Sequence, residues 1–133
     1  MGVIFALSTG LGSADHTSRF IGPLLRWLVP HAAPETIAQA HFLIRKGAHL
    51  TEYAVLALLA LRAVRRSMHP AASGWSWKAA GLALLISTTY AATDEFHQSF
   101  VPGRTPSPGD VMIDSAGALA ALALAALWRK TFD

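Results

Sequence analysis

Three short polar motifs contain most of the residues that could do chemistry in this chain. Each supplies two residues three or four positions apart: His49 and Glu52, Asp94 and His97, Asp110 and Asp114. Residues at these spacings share one face of an α-helix, so each pair can address the same ligand. Imidazole and carboxylate groups hold divalent metals or act as general acids and bases. The spacing therefore predicts paired functional groups on three helices.

The six residues suggest two kinds of chemistry. We predict catalytic roles for His49, Glu52, Asp94 and His97. With Asp110 and Asp114 added, the six are the predicted ligands of a divalent metal. Acid-x-x-His pairs on facing helices build such sites in other bundles. The carboxylate-rich set suits Mg²⁺ or Mn²⁺, and the two histidines also permit Zn²⁺.

Further polar residues beside the motifs are candidates for ligand binding. They are Arg45, Lys46, Tyr53, Glu95, Gln98 and Arg104. Arg104 belongs to the Pro/Gly-rich turn "VPGRTPSPGD", which can carry its side chain back over the motifs. Together with Arg45 it could bind a phosphate bidentately. For Lys46, Glu95 and Gln98 a structural or solvated role fits as well, and Asp110 is also a candidate helix N-cap.

Very apolar segments must position these motifs. The 133 residues are 53% hydrophobic and 14% charged, whereas soluble domains are usually about a quarter charged. Mean hydropathy is +0.38. Apolar stretches follow His49, run from Trp77 to about Ala92, and extend from Val111 to Trp128. A membrane-spanning helix needs roughly 20 mostly apolar residues. The last stretch qualifies, and the other two qualify if their polar ends are included.

We therefore predict a single all-α domain over residues 1–133, a small transmembrane helical bundle. Three full spans are expected, with a short or truncated N-terminal span at "MGVIFAL" and amphipathic extracytoplasmic interfacial helices at "FIGPLLRWLV" and "PETIAQAHFLIRK". The second of these helices could lead into the first full span near Gly47. The apolar stretches have no polar stripe, and tryptophans lie at their ends, as interfacial anchors do. The alternative is an Ala-rich soluble bundle.

Basic residues predict the orientation. If the spans alternate, all of the following lie on one side of the bilayer: Arg62, Arg65, Arg66, Lys78, Arg129 and Lys130. Positive residues concentrate in the cytoplasm, so we expect an inner-membrane protein with its polar motifs on the extracytoplasmic face. The net charge of +3 contains no long basic run, and no nucleic-acid partner is predicted. The absence of cysteine excludes disulfides and thiolate chemistry.

The motifs resemble those of the VanZ-like family of bacterial membrane proteins, over about residues 40–128. The resemblance lies in "RKGAHLTEY" and "TDEFHQSFVPGRTPSPGDVMIDSAGA". The matching residues are Arg45, Lys46, His49, Glu52 and Tyr53; Asp94, Glu95, His97, Gln98, Phe100, Pro102, Gly103 and Arg104; and Asp110, Asp114, Gly117 and Ala118. The resemblance implies a role in the cell envelope and in glycopeptide (teicoplanin) resistance, but it implies no reaction. Family members usually have a full first transmembrane helix, which "MGVIFAL" does not supply.

Three functions remain open at this point. The first is a metal-assisted hydrolase or transferase at the outer interface, acting on a phosphate-bearing envelope lipid or a cell-wall precursor. The second is a non-enzymatic binding or accessory protein, in which the motifs grip a ligand or form a structural salt-bridge network. The third is a small proton-coupled transporter, because Asp, Glu and His chains relay protons in membranes. The oligomeric state is not predicted.

Overall fold

Three long helices make up most of the computed structural model, which describes residues 23–68, 75–100 and 107–132. They are α1 (Pro34–Met68), α2 (Trp77–Gln98) and α3 (Pro108–Phe132). A short helical segment over 23–28 precedes them. The described ranges contain no β-strand, so the all-helical prediction is confirmed there. The predicted N-terminal span at "MGVIFAL" lies outside the described residues.

The helix boundaries follow local sequence signals. α1 begins with Pro34, whose missing N–H is not needed at the first helical position. Before α2, the side chain of Ser76 accepts a hydrogen bond of 3.2 Å from the backbone N–H of Ala79. Before α3, the Ser107 hydroxyl accepts one from Gly109 N–H in the same way. Ser107 therefore caps α3, whereas Asp110 lies within its first turn.

Both predicted N-terminal helices are present. The segment 23–28 is helical and ends before Pro30, as expected. The second, "PETIAQAHFLIRK", continues without a break through Gly47 into the rest of the 35-residue α1, the continuation that the sequence suggested. No proline or helix-ending glycine interrupts it, and Gly47 lies in helical conformation.

The three helices pack on each other through small side chains. The core cluster consists mainly of fully or nearly fully buried alanines with two leucines: Ala57, Leu61, Ala79, Ala80, Ala83, Ala118 and Leu122. Small residues allow helix backbones to approach closely. α3 approaches α1 closely at Gly117, where an added Cβ would collide with the carbonyl oxygen of Leu50. It would also lie 3.1 Å from the Leu50 Cα.

Two of the helices, α1 and α3, are long and apolar enough to cross a membrane. Only 28% of the most apolar window of each is buried among the described residues. The core helix of a soluble protein would be mostly buried, so this surface suits contact with lipid. α2 does not meet the same criterion, because Lys78 at one end and Asp94 and Glu95 at the other limit its uncharged stretch to residues 79–93. The expected three spans are therefore confirmed only as two candidates.

The contact between Gly117 and Leu50 predicts an unequal response to alanine. An alanine side chain has no rotamer that avoids the Leu50 backbone, so Gly117→Ala should lower the stability of the bundle by about 1–3 kcal/mol, the usual cost of overpacking. Gly81→Ala is the matched control, since its added Cβ meets nothing within 4 Å and helix propensity favours alanine by up to about 1 kcal/mol. Thermal unfolding in detergent measures both. Equal midpoints for the two variants would contradict the close approach.

Candidate functional site

The three polar motifs meet where the end of α2 and the start of α3 pack against α1. We call this group the polar cluster: Lys46, His49, Glu52 and Tyr53 of α1; Asp94, Glu95, His97 and Gln98 of α2; and Asp110 and Asp114 of α3. Helices that run up, down and up place these sequence-distant residues at the same level.

Two polar pairs connect α1 to α3. The Lys46 ammonium group forms an ion pair with the Asp110 carboxylate. One turn further along, His49 Nδ1 lies 3.5 Å from Asp114 Oδ1. That distance is within ion-pair range but long for a hydrogen bond. Asp114 is 1% exposed, so a protonated His49 would be its nearest source of compensating charge.

The end of α2 is held by two hydrogen bonds. Gln98 Nε2 donates to Asp94 Oδ2 over 2.9 Å. The backbone N–H of Ser107 donates to Glu95 Oε2, also over 2.9 Å, and this bond ties α2 to the start of α3. Both carboxylates are 6% exposed. The predicted ligand-binding residues Glu95 and Gln98 therefore have internal partners, as the structural alternative for them expected.

Tyr53 lies in the interior of the cluster. Its side chain is 1% exposed, and its ring packs at a tilt against Tyr90 of α2, with 6.5 Å between the ring centroids. Its hydroxyl lies close enough to Asp94 and Asp114 for electrostatic interaction. Glu52, the residue before Tyr53, is also close enough to His49 for electrostatic interaction. Tyr53 is therefore a polar group surrounded by carboxylates.

Several buried polar atoms of the cluster have no hydrogen-bond partner among the described residues. They include the Tyr53 hydroxyl, Glu95 Oε1 and Asp114 Oδ1. An unsatisfied buried polar group costs about 1–3 kcal/mol, and nearly all such groups in native proteins are satisfied by protein, water or a ligand. These three atoms therefore mark where an additional hydrogen-bonding group would be stabilised.

The six predicted metal ligands are not assembled as a metal site in the part of the chain that the structure describes. No group of three or more His, Asp or Glu residues is arranged to hold an ion there. Asp110 is engaged by Lys46, and Asp94 by Gln98. The donor set as arranged does not fit Mg²⁺, Mn²⁺ or Zn²⁺.

The remaining predicted residues lie at the edge of the cluster or outside the described residues. His97 is half-buried in the last turn of α2, and Arg45 is half-buried on α1. Arg104 lies in the segment 101–106, outside the described residues. Sequence reasoning missed Ser107, whose backbone holds Glu95. Its position directly before Pro108 is a helix-start signal that could have identified it.

Comparison with known proteins gives one match. The family model described as VanZ/LLP1 matches residues 2–129. No curated protein matches the chain, and no solved structure does. The family match includes all three polar motifs and every residue of the polar cluster.

The ion pair between Lys46 and Asp110 predicts thermodynamic coupling between α1 and α3. We expect Lys46→Met and Asp110→Asn each to destabilise the bundle, and the double variant to be less destabilised than the sum by about 1 kcal/mol. The two side chains are 24% and 22% exposed, so solvent screens the pair only in part. Unfolding in detergent of the four proteins of this cycle measures the coupling.

The control pairs Asp110→Asn with Arg66→Met, a change at an exposed arginine near the other end of α1. These two effects should add within about 0.5 kcal/mol, as expected for distant sites. Strict additivity of the Lys46 and Asp110 effects would show that the pair does not hold the helices together.

Proposed function

Because the chain belongs to the VanZ-like family of bacterial membrane proteins, we propose that it is a multi-pass inner-membrane protein whose polar cluster binds or processes an envelope-associated ligand on the extracytoplasmic side. The ligand class is a phosphate-bearing lipid or a cell-wall precursor. We further propose that glycopeptide resistance, with which the family is associated, acts through this ligand.

The proposed orientation treats α2 as a third span. Its 22 residues are roughly 33 Å long at 1.5 Å per residue, enough to cross the hydrocarbon core. Lys78 then lies at one membrane surface, and Asp94 and Glu95 lie at the other. The basic ends of α1 and α3 are at the same surface as Lys78. By the positive-inside rule this surface is cytoplasmic, and the polar cluster faces outward.

The observation that carries the ligand proposal is a set of buried oxygens with no hydrogen-bond partner among the described residues: the Tyr53 hydroxyl, Glu95 Oε1 and Asp114 Oδ1. His49 Nδ1 approaches Asp114 Oδ1 only to ion-pair distance. Ionisable groups within a membrane protein are costly and usually mark functional sites. Carboxylate oxygens accept hydrogen bonds from hydroxyl and amide groups, both of which a cell-wall precursor offers. Arg45 and Arg104 remain the proposed contacts for phosphate.

The position of His49 beside Asp114 suggests how the cluster could process its ligand. A carboxylate that orients a histidine is the usual arrangement of a general base. His49 would take a proton from a ligand hydroxyl or from water, and Asp114 would stabilise the resulting imidazolium. Glu52, predicted as catalytic from the sequence, lies within electrostatic range of both members of this pair, and Asp94 lies within the same range of Glu52. Ligand binding without turnover requires only the same hydrogen bonds.

The second candidate is a purely structural network. The ion pair between Lys46 and Asp110 favours it, as does the contact between His49 and Asp114. In this reading the cluster fixes the packing of the helices, and ligand contact plays no part.

Asp114→Asn separates the two functions. We expect the full chain in detergent to retain lipid from a phosphate-radiolabelled envelope extract, and the variant to retain it about tenfold less well, because a buried hydrogen bond to a charged acceptor is lost. Glu35→Gln is the control, since Glu35 is exposed in the first turn of α1, outside the cluster. Resistance to teicoplanin conferred by expression of the chain should fall with the same variant.

A structural network gives a different pattern. The unfolding midpoint of Asp114→Asn would then fall while lipid retention, measured below that midpoint, stayed at the level of the unchanged chain. That result, or an equal loss of retention in Glu35→Gln, would refute ligand binding by the cluster.

A further inference from the structure

An apolar groove lies between α2 and α3, toward the end of the bundle opposite the polar cluster. Its volume is about 420 Å³, in the range of sites that take small molecules. Gly81 and Leu84 of α2 line one side, and Leu119, Leu122 and Ala126 of α3 line the other. All of its lining side chains are apolar or indole rings. The groove is suited to a hydrocarbon chain.

Trp75 and Trp77 lie at the end of this groove where α2 begins. Their rings contact edge to face, with 5.7 Å between centroids. The indole Nε1 of Trp75 is buried and has no hydrogen-bond partner among the described residues. Tryptophan is a donor only at this atom, so the orphaned N–H calls for an acceptor oxygen at the edge of an otherwise apolar groove.

The electrostatic surroundings of the groove are basic. Residues 54–68, 77–93 and 115–132 contain no acidic residue. Lys78 lies in the first turn of α2, and Arg62 and Arg66 lie exposed near the end of α1, at the same end of the bundle. Among the described residues, none of these three forms an ion pair with a carboxylate. An anionic group is therefore the complement of this end.

We propose that the groove binds one anionic phospholipid, with an acyl chain between α2 and α3, a lipid oxygen accepting the Trp75 N–H, and the phosphate beside Lys78. An apolar channel, one orphaned donor at its edge and basic residues at the same end of the bundle together match the three parts of such a lipid. Basic pockets between membrane helices recognise anionic headgroups on the cytoplasmic side. The site is separate from the polar cluster and does not rest on the function proposed for it.

The test counts lipids retained by the full chain in detergent, using native mass spectrometry during titration with phosphatidylglycerol or phosphatidylcholine. We expect one phosphatidylglycerol to bind about tenfold more tightly than phosphatidylcholine. Lys78→Ala should weaken the first phosphatidylglycerol about fivefold, since each basic residue near an anionic headgroup contributes about 1 kcal/mol. Trp75→Phe, which keeps an aromatic side chain but removes the indole N–H, should weaken it about fivefold as well.

A leucine placed in the groove tests whether the lipid occupies that space. Gly81→Leu should abolish retention of the first lipid, because the added side chain enters open space within the groove. Leucine favours helix over glycine, so α2 should remain folded, which circular dichroism checks. Gly47→Leu is the matched control: its added side chain also meets open space, on α1 outside the groove. It should retain lipid as the unchanged chain does.

Three outcomes would overturn the proposal. The first is equal retention of the two lipids together with unchanged binding in Gly81→Leu. The second is retention only after deletion of residues 2–22, which would assign the groove to the chain's own N-terminal segment. The third is a lipid-free dimer that Gly81→Leu converts to a monomer, which would assign it to a second copy.

Discussion

The backbone contact between Gly117 of α3 and Leu50 of α1 is the constraint on which the polar cluster depends. Only a residue without a side chain fits there, because any Cβ would collide with the Leu50 carbonyl oxygen. Leu50 directly follows His49, and Gly117 lies about one turn after Asp114. Fixing 50 against 117 therefore brings His49 to Asp114 and, one turn earlier, Lys46 to Asp110. The small-residue packing and the polar contacts share one helix register.

Burying the polar cluster in so apolar a chain costs desolvation free energy. Asp94, Glu95 and Asp114 are each at most 6% exposed, and burying charge is favourable only when partners compensate for lost water. Gln98, Ser107 and His49 supply part of that compensation. In the proposed function, a ligand would satisfy the Tyr53 hydroxyl and Glu95 Oε1, which have no hydrogen-bond partner among the described residues. The groove at the other end of the bundle is lined by apolar side chains and indole rings instead of carboxylates. Under the two proposals, the two ends of the bundle bind different partners.

Helical spacing and alternation of spans were enough to predict that the polar motifs meet, because together they fix the face and the depth of each residue. They could not predict the individual partners. These depend on the rotation of each helix about its own axis, which is set by the close approach at Gly117. The spacing of Asp110 and Asp114 suggested joint ligands, yet Asp110 pairs with Lys46. Apolar content alone does not establish α2 as a span, since Lys78 and the terminal carboxylates bound its apolar stretch.

Proximity of the motifs in the membrane is the central claim, and cross-linking measures it directly in a chain without native cysteine. Cysteines replace Lys46 and Asp110, and a short bis-maleimide is added to membranes. We predict an intramolecular link between the two positions, identified by mass spectrometry of the monomer. The control replaces Lys46 and Trp128, which lies roughly 27 Å along α3 from position 110, and should give none. Linking of positions 46 and 128, with none between 46 and 110, would contradict the convergence.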